Sequence, residues 1–273
     1  MKLIKINLGF VQKFSIFFFV VLSIWWTIVA LVLKNNYIHA NLIWAASYQL
    51  MAVFGLIFGF IIARSWGGIR SIVGKTIMFF SIGLLLQVFG QTIFSIYNLV
   101  LEIEIPYPSW ADVGYFLSIP FYVYATILLG KVSGVGLSLK SVHKKILAIF
   151  VPLALLLTSY MIFLQGYEFD WSSPLRIFLD FGYPLGQAFY VSLALLVFVL
   201  SKEFLGGVMR SGVLTILLAL VIQYVADYNF LYQVSKGTWI NGGYGDFIYL
   251  SAYFFMSIAL INLGNLFKKI KET

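Results

Sequence analysis

Eight apolar runs of about 20 residues follow one another along the chain, and they constrain its fold more than any other feature. An α-helix of this length covers the roughly 30 Å of hydrocarbon in a lipid bilayer. The runs lie at residues 14–33, 42–63, 76–100, 112–130, 146–165, 174–200, 211–233 and 243–267. The sequence therefore predicts an all-α, polytopic integral membrane protein, with a single transmembrane domain over residues 1–273 and no soluble domain.

Composition excludes the main soluble classes. Hydrophobic residues make up 62% of the chain and charged residues 10%, whereas a soluble domain is about half apolar and a quarter charged. A disulfide-stapled secreted fold is excluded because the chain has no cysteine. We therefore expect the lipid bilayer to be a partner of most of its surface.

The basic residues predict the orientation of the helices. If the N-terminus is cytoplasmic, only Lys34, Arg176 and Lys236 of the 18 lysines and arginines fall on the outer side. By the positive-inside rule we expect both termini in the cytoplasm. The same rule accounts for the net charge of +8, so we expect no nucleic-acid partner. Cleavage of the first run as a signal sequence would leave seven helices, but its length favours retention.

The even-numbered runs share an Asp-x-x-Tyr motif near their outer ends. The motif occurs as Asp112/Tyr115, Asp180/Tyr183 and Asp246/Tyr249. In the odd-numbered runs, Gln87 and Gln91 of the third align with Gln223 and Asp227 of the seventh. These matches predict about four repeated helical hairpins of about 67 residues each.

Some of the polar residues fall inside the predicted spans. A carboxylate in hydrocarbon costs about 2.5 kcal/mol or more unless it is paired or faces water, which makes it a functional candidate. Arg176 lies one helical turn before Asp180, so the two could simply neutralise each other. The alternative is a polar pocket open to the outside. Its candidate ligand-binding residues are Asp180, Asp227, Asp246, Arg176, Gln87, Gln91, Tyr183 and Tyr249.

The residues for catalysis are missing from the spans. The two histidines, His39 and His143, fall in predicted loops, and no lysine lies in the middle of a run. A phosphate-binding loop and a dinucleotide motif are also absent from the sequence. We therefore predict no catalytic residue, no metal site, no cofactor and no enzyme activity.

Residues 106–123, PYPSWADVGYFLSIPFYV, resemble a Pro-Ser-x-Ala-Asp-x-x-Tyr-Leu element. That element occurs in the multi-helix membrane sensor regions that precede bacterial diguanylate cyclase, phosphodiesterase or histidine-kinase modules. Residues 244–255, YGDFIYLSAYFF, are similar to a later Gly-Asp-x-x-Tyr element of those regions. The resemblance marks Pro108, Ser109, Asp112 and Tyr115 as a structural motif, in which Ser109 and Asp112 also fit a helix capping box.

The resemblance implies a multi-pass sensor in the cell membrane, specifically in a prokaryotic plasma membrane. Because only residues 268–273 follow the last run, we expect a module without its own output domain, acting in signalling through a separate protein. Our first expectation is a stand-alone sensor-like module that binds a small extracellular or periplasmic ligand or a lipid headgroup.

Two other functions stay open. One is a transporter or channel for a small solute or cation, with the outer aspartates as its binding site. Transport needs polar residues in the inner half, where the best candidates, Ser81, Thr126, Ser192 and Thr215, can each bond their own backbone. The other is a structural subunit of a membrane complex.

Overall fold

The computed structural model describes residues 7–33, 37–133, 135, 141–201 and 210–272, and this part of the chain is helical without a strand. Eight helices in these ranges are long and apolar enough to cross a bilayer. They are α1 Leu8–Val32, α2 Ile38–Ser65, α3 Ile72–Val100, α4 Trp110–Val132, α5 Val142–Leu164, α6 Pro174–Leu200, α7 Arg210–Ser235 and α8 Tyr244–Lys268. The predicted all-α fold of a multi-pass membrane protein is confirmed. Lys34, used in the orientation argument, lies outside the described residues.

Several helices begin earlier than the apolar runs predict. The α1 helix begins at Leu8 because the side chain of Asn7 accepts a hydrogen bond from the N–H of Phe10 at 3.2 Å. Ser71 caps α3 in the same way, accepting from the N–H of Gly74 at 2.9 Å. Hydropathy alone misses these first turns because Lys13 and Lys75 separate them from the apolar runs that follow.

Six helices form a closed ring. The order around it is α2, α3, α4, α6, α7 and α8, and α8 packs back against α2. The α1 helix lies outside the ring against α8, and α5 lies outside against α6. Small residues permit the close approach of α2 to its neighbours: Gly55 faces Ser257 of α8, and Gly59 faces Ser81 of α3.

Odd- and even-numbered helices run in opposite directions, so the ring neighbours α4 and α6, and likewise α8 and α2, run parallel to each other. Trp26, late in α1, donates to the carbonyl of Gly242 just before α8 at 3.1 Å, whereas Asn265, late in α8, donates to Gln12, early in α1, at 3.3 Å. The end at which the even-numbered helices begin is called the acidic end here. It carries Asp112, Asp180 and Asp246, and the charge pattern predicts it to face outward.

Closure of the ring between α2 and α8 predicts a specific cross-link. A Cβ atom on Gly55 would lie 3.3 Å from the Cβ of Ser257, which is near the roughly 3.8 Å typical of a disulfide. The sequence has no cysteine, so Gly55→Cys/Ser257→Cys introduces the only thiols. We expect oxidation to consume both, as measured by maleimide labelling and mass spectrometry. The control pair Gly55→Cys/Leu153→Cys, with one thiol on α5, should keep both thiols free. Equal labelling of the two variants after oxidation would contradict the packing of α8 against α2.

Candidate functional site

Asp180 lies in an outer cluster at the acidic end. Tyr107 donates to its Oδ1 atom at 2.8 Å, and Tyr167 donates to its Oδ2 atom at 2.6 Å. The Nε atom of Arg176 lies 3.8 Å from Oδ2, which confirms the predicted partner. Burial, followed by the hydrogen bond to Asp180, raises the pKa of Tyr107, and the hydrogen bond to Asp180 raises the pKa of Tyr167. Asp180 is therefore satisfied by its own neighbours.

Asp112 closes the predicted capping box at the start of α4. Its Oδ2 atom accepts from the N–H of Ser109 at 2.7 Å, and the Oγ atom of Ser109 accepts from the N–H of Ala111 at 3.2 Å. Pro108 precedes the box, after a cis peptide bond. The Oδ1 atom of Asp112 accepts from the hydroxyl of Tyr183 at 2.8 Å, so the carboxylate also ties α4 to α6.

Asp227 is buried between three helices. Its Oδ1 atom accepts from Tyr249 of α8 at 2.9 Å and from Gln223, one turn earlier on α7, at 3.0 Å. Its Oδ2 atom accepts from Tyr190 of α6 at 3.4 Å. No lysine, arginine or histidine in the described ranges pairs with this carboxylate. Three neutral donors hold Asp227 without balancing its charge.

Asp246 is buried in the first turn of α8. Its Oδ2 atom accepts from the N–H of Gly242 at 2.7 Å, and the hydroxyl of Tyr48 on α2 lies beside it. The φ of +74° and the backbone of Asn41 next to it explain why position 242 is glycine. Within the described part of the chain, this carboxylate also has no basic partner.

The two glutamines of α3 bond to other helices. Gln87 donates to the Oγ atom of Ser118 at 2.8 Å and accepts from the hydroxyl of Tyr253 at 3.2 Å. Gln91 accepts from the hydroxyl of Tyr115 at 2.6 Å. Both amides therefore face the interior of the ring rather than lipid.

These groups converge inside the ring, nearer its acidic end. Tyr115 of α4 bonds to Gln91 of α3, whose amide nitrogen also donates to the carbonyl of Ala45 on α2 at 3.1 Å. The rings of Tyr249 and Tyr253, 6.3 Å apart, link Asp227 to the glutamines. The converging residues are called the polar core here: Tyr48, Gln87, Gln91, Asp112, Tyr115, Ser118, Tyr183, Tyr190, Gln223, Asp227, Asp246, Tyr249 and Tyr253.

No protein-family model, curated protein or solved structure matches the chain. The function must therefore be argued from the polar core itself. Among the described residues, no group of three histidine, cysteine, aspartate or glutamate side chains could hold a metal ion.

The structure separates the predicted site residues into two groups. Six of the eight candidates belong to the polar core: Asp227, Asp246, Gln87, Gln91, Tyr183 and Tyr249. The remaining two, Asp180 and Arg176, form the outer cluster instead. Sequence reasoning did not place Tyr190, Tyr253 or Ser118 in the site. The tyrosines could have been found from their helical spacing, because Tyr190 follows Tyr183 by seven residues and Tyr253 follows Tyr249 by four.

The other half of the ring interior is apolar. Phe80, Leu129 and Ile216 are among its fully or nearly fully buried side chains. The hydroxyl groups that the sequence offers toward the end opposite the acidic end bond their own helices at 2.7–2.8 Å, as predicted: Ser81 to Ile77, Thr126 to Tyr122, Ser192 to Phe189 and Thr215 to Ser211. These hydroxyls do not extend the polar core toward that end.

Proposed function

We propose that the chain is a membrane-embedded, sensor-type ligand-binding module whose binding site is the polar core. The observation that carries this proposal is the burial of two carboxylates, those of Asp227 and Asp246, inside the ring. Each buried carboxylate costs about 2.5 kcal/mol or more in hydrocarbon. A fold that needed only helix packing would fill these positions with apolar residues, so a ligand that uses the carboxylates explains their presence.

Binding is better supported than transport. A transport path needs polar groups along the whole length of the bundle, and the cytoplasmic half of the ring is filled by side chains such as Phe80 and Ile216. The hydroxyl groups of this half bond the backbone of their own helices, so they do not form a polar path for a solute: Ser81, Thr126, Ser192 and Thr215. We therefore propose a site that opens on the acidic end, which the charge pattern assigns to the outside.

A repeated architecture fits one shared site. The hydrogen bond from Tyr115 to Gln91 joins α4 to α3, and the bond from Tyr249 to Asp227 joins α8 to α7 in the same way. The two bonds occupy matching positions of the predicted hairpin repeat. We propose that the hairpins arose by duplication. Each half of the chain then contributes one such interhelical hydrogen bond to the polar core.

Signalling would require a second step. A ligand shifts the helices only if it binds one arrangement more tightly than another. We propose that a separate signalling protein binds the lipid-facing side of the bundle, where α1 and α5 lie outside the ring, and responds to this shift of the helices.

The proposal predicts that Asp227→Asn weakens binding of a small ligand. The protein in lipid nanodiscs would be screened by thermal unfolding against methylammonium, ethylammonium, acetate, phosphate, ethanol and acetamide, which cover positive, negative and neutral charge. We expect at least one compound to raise the unfolding temperature, and Asp227→Asn to lower its affinity by about tenfold or more, equivalent to about 1.4 kcal/mol. Asp180→Asn should have a smaller effect because Asp180 lies in the outer cluster.

Asp170→Asn is the matched control. Asp170 is an exposed carboxylate between α5 and α6, and its hydrogen bonds to Ser172 keep its pKa below the usual range. The same chemical change there should leave binding unaltered. Equal binding in the Asp227→Asn and Asp170→Asn proteins, or no binding of any compound, would contradict a site in the polar core.

A further inference from the structure

We propose that the loop between α7 and α8, residues 236–243, is a lid that closes the acidic end of the polar core, and that Trp26 of α1 holds it closed. This inference rests on the proposed function and adds how access to that site is controlled. Three observations carry it: the burial of the polar core, the contacts that hold the loop in place, and two unpartnered amide atoms beside it.

The polar core is closed in this structure. Ser118 is 1% exposed and Asp246 is 3% exposed, and most of the other side chains of the polar core are buried as well. The opposite half of the ring is filled by apolar side chains such as Phe80 and Ile216. A ligand that arrives at the acidic end therefore reaches the polar core only after a segment at that end has moved.

The α7–α8 loop is a segment that lies directly on the polar core. Gly242 donates its N–H to Asp246 at 2.7 Å and packs against the backbone of Asn41 on α2. Asn241 donates to the side chain of Asn98 near the end of α3 at 3.4 Å. The loop therefore extends from α7 and α8 to α2 and α3, across the acidic end of the ring.

Trp26 holds this loop from outside the ring. Its indole N–H lies 3.1 Å from the carbonyl oxygen of Gly242 and 3.2 Å from that of Gly243. Its ring also stacks on Phe247, with the ring centroids 4.5 Å apart. Because α1 packs against the outside of the ring, a shift of α1 would break this hydrogen bond without separating the ring helices. The position of α1, where the proposed signalling protein would bind, is thus linked to the state of the lid.

Two unpartnered amide atoms flank the loop. The Oδ1 atom of Asn41, a residue that is 4% exposed, and the Nδ2 atom of Asn229 on α7 have no hydrogen-bond partner among the described residues. Asn41 packs against Gly242, and the Nδ2 atom of Asn229 lies 2.8 Å from the position of a Cβ atom on Gly245. A buried polar atom without a partner costs free energy, and water reaches both atoms once the loop lifts. The closed state therefore carries a cost that opening removes.

The test uses single cysteines, because the sequence has none of its own. Asn41→Cys reports whether the loop lifts, and Ser118→Cys reports whether a solute then enters the polar core. Each would be reacted, in nanodiscs of phosphatidylcholine, with 2-aminoethyl methanethiosulfonate, a small water-soluble reagent, and the rate of modification followed by mass spectrometry. Each cysteine would also be combined with Trp26→Phe, which keeps an aromatic ring but removes the N–H donor.

We expect Trp26→Phe to raise both rates by about five- to tenfold, which corresponds to a loss of about 1–1.4 kcal/mol from the closed state. Trp66→Phe is the matched control. The indole N–H of Trp66 donates to the carbonyl of Leu263 on α8 at 3.0 Å, at the end of the bundle opposite the loop. Its loss removes the same kind of hydrogen bond and should change neither rate by more than about twofold.

Two results would overturn the inference. One is equal rates in the Trp26→Phe and Trp66→Phe proteins. The other is faster modification of Asn41→Cys without a change at Ser118→Cys, because the loop would then lift without opening the polar core. If the Ser118→Cys protein does not fold, Gln91→Cys, which is also buried in the polar core, takes its place with the same expected change.

These rates need no ligand, so they separate the lid from the proposed function. Equal rates together with an Asp227-dependent response in the thermal screen would overturn the lid and leave ligand binding standing. No response to any compound in that screen would contradict the proposed function itself.

Discussion

Replacing Asp227 by alanine should destabilise the protein by about 3–5 kcal/mol, because each of three buried donors left without an acceptor costs about 1–3 kcal/mol and removal of a buried carboxyl group offsets part of the sum. The carboxylate is the acceptor for Tyr190, Gln223 and Tyr249, which come from three different helices. Alanine would leave these donors buried without an acceptor and remove a link between α6, α7 and α8. Equilibrium unfolding of the ligand-free protein in mixed micelles measures the loss.

Asp227→Asn is the informative comparison. The amide oxygen of asparagine can still accept from Tyr249, and the cost of burying a charge disappears. We expect a change of no more than about 1 kcal/mol, so the asparagine protein should remain nearly as stable as the wild type while losing affinity for the ligand. Equal stability of the alanine and asparagine proteins would show that the donors do not depend on this carboxylate.

Gly114→Ala should cost about 2–3 kcal/mol, although alanine is the better helix former by about 1 kcal/mol. A Cβ atom on Gly114 of α4 would lie 2.5 Å from the carbonyl oxygen of Leu86 and 2.6 Å from the nitrogen of Gly90 on α3. Both are backbone atoms and cannot move by rotating a side chain. The two helices would therefore have to separate, which weakens the interface that carries Gln87 and Gln91.

Gly130→Ala is the control for that substitution. Gly130 lies on the same helix, and the nearest atom to its Cβ position is a methyl carbon of Val197 at 3.1 Å. A side chain can shift by a few tenths of an ångström, so we expect the gain in helix propensity to offset the crowding. The measurement is the unfolding temperature of both variants. A Gly114→Ala protein as stable as Gly130→Ala would contradict the close backbone approach of α3 and α4.

Much of the fold could be predicted from the sequence because membrane spans are encoded locally. Each apolar run meets the length requirement of the bilayer by itself, and the capping box at Ser109 is a local pattern. The order of helices around the ring could not be predicted. It depends on which faces pack together, and the small and polar residues that mark an inward face, such as Gly55 and Gln87, do not specify which helix packs against it.

The candidate site could be predicted in part for a similar reason. Because a charged residue in hydrocarbon costs free energy, its presence in a span predicts a functional site, and Asp227 and Asp246 could be predicted in this way. Tyr190 and Tyr253 carry no charge, and only their helical spacing from Tyr183 and Tyr249 could have indicated them. Asp180 carries the same charge as Asp227, and only the positions of Tyr107 and Tyr167 show that it belongs to a separate cluster.

The most direct test of the proposed site is a distance between ligand and carboxylate. Solid-state NMR on protein with ¹³C-labelled aspartate carboxyl groups, in bilayers containing the ¹⁵N-labelled compound that binds in the thermal screen (methylammonium, ethylammonium or acetamide), measures dipolar coupling between the ligand nitrogen and each carboxyl carbon. We predict coupling to Asp227 at a distance of about 3.5 Å, as expected for a charge-assisted hydrogen bond, and its disappearance in Asp227→Asn. Coupling to Asp180 instead, or to no aspartate at all, would contradict binding in the polar core.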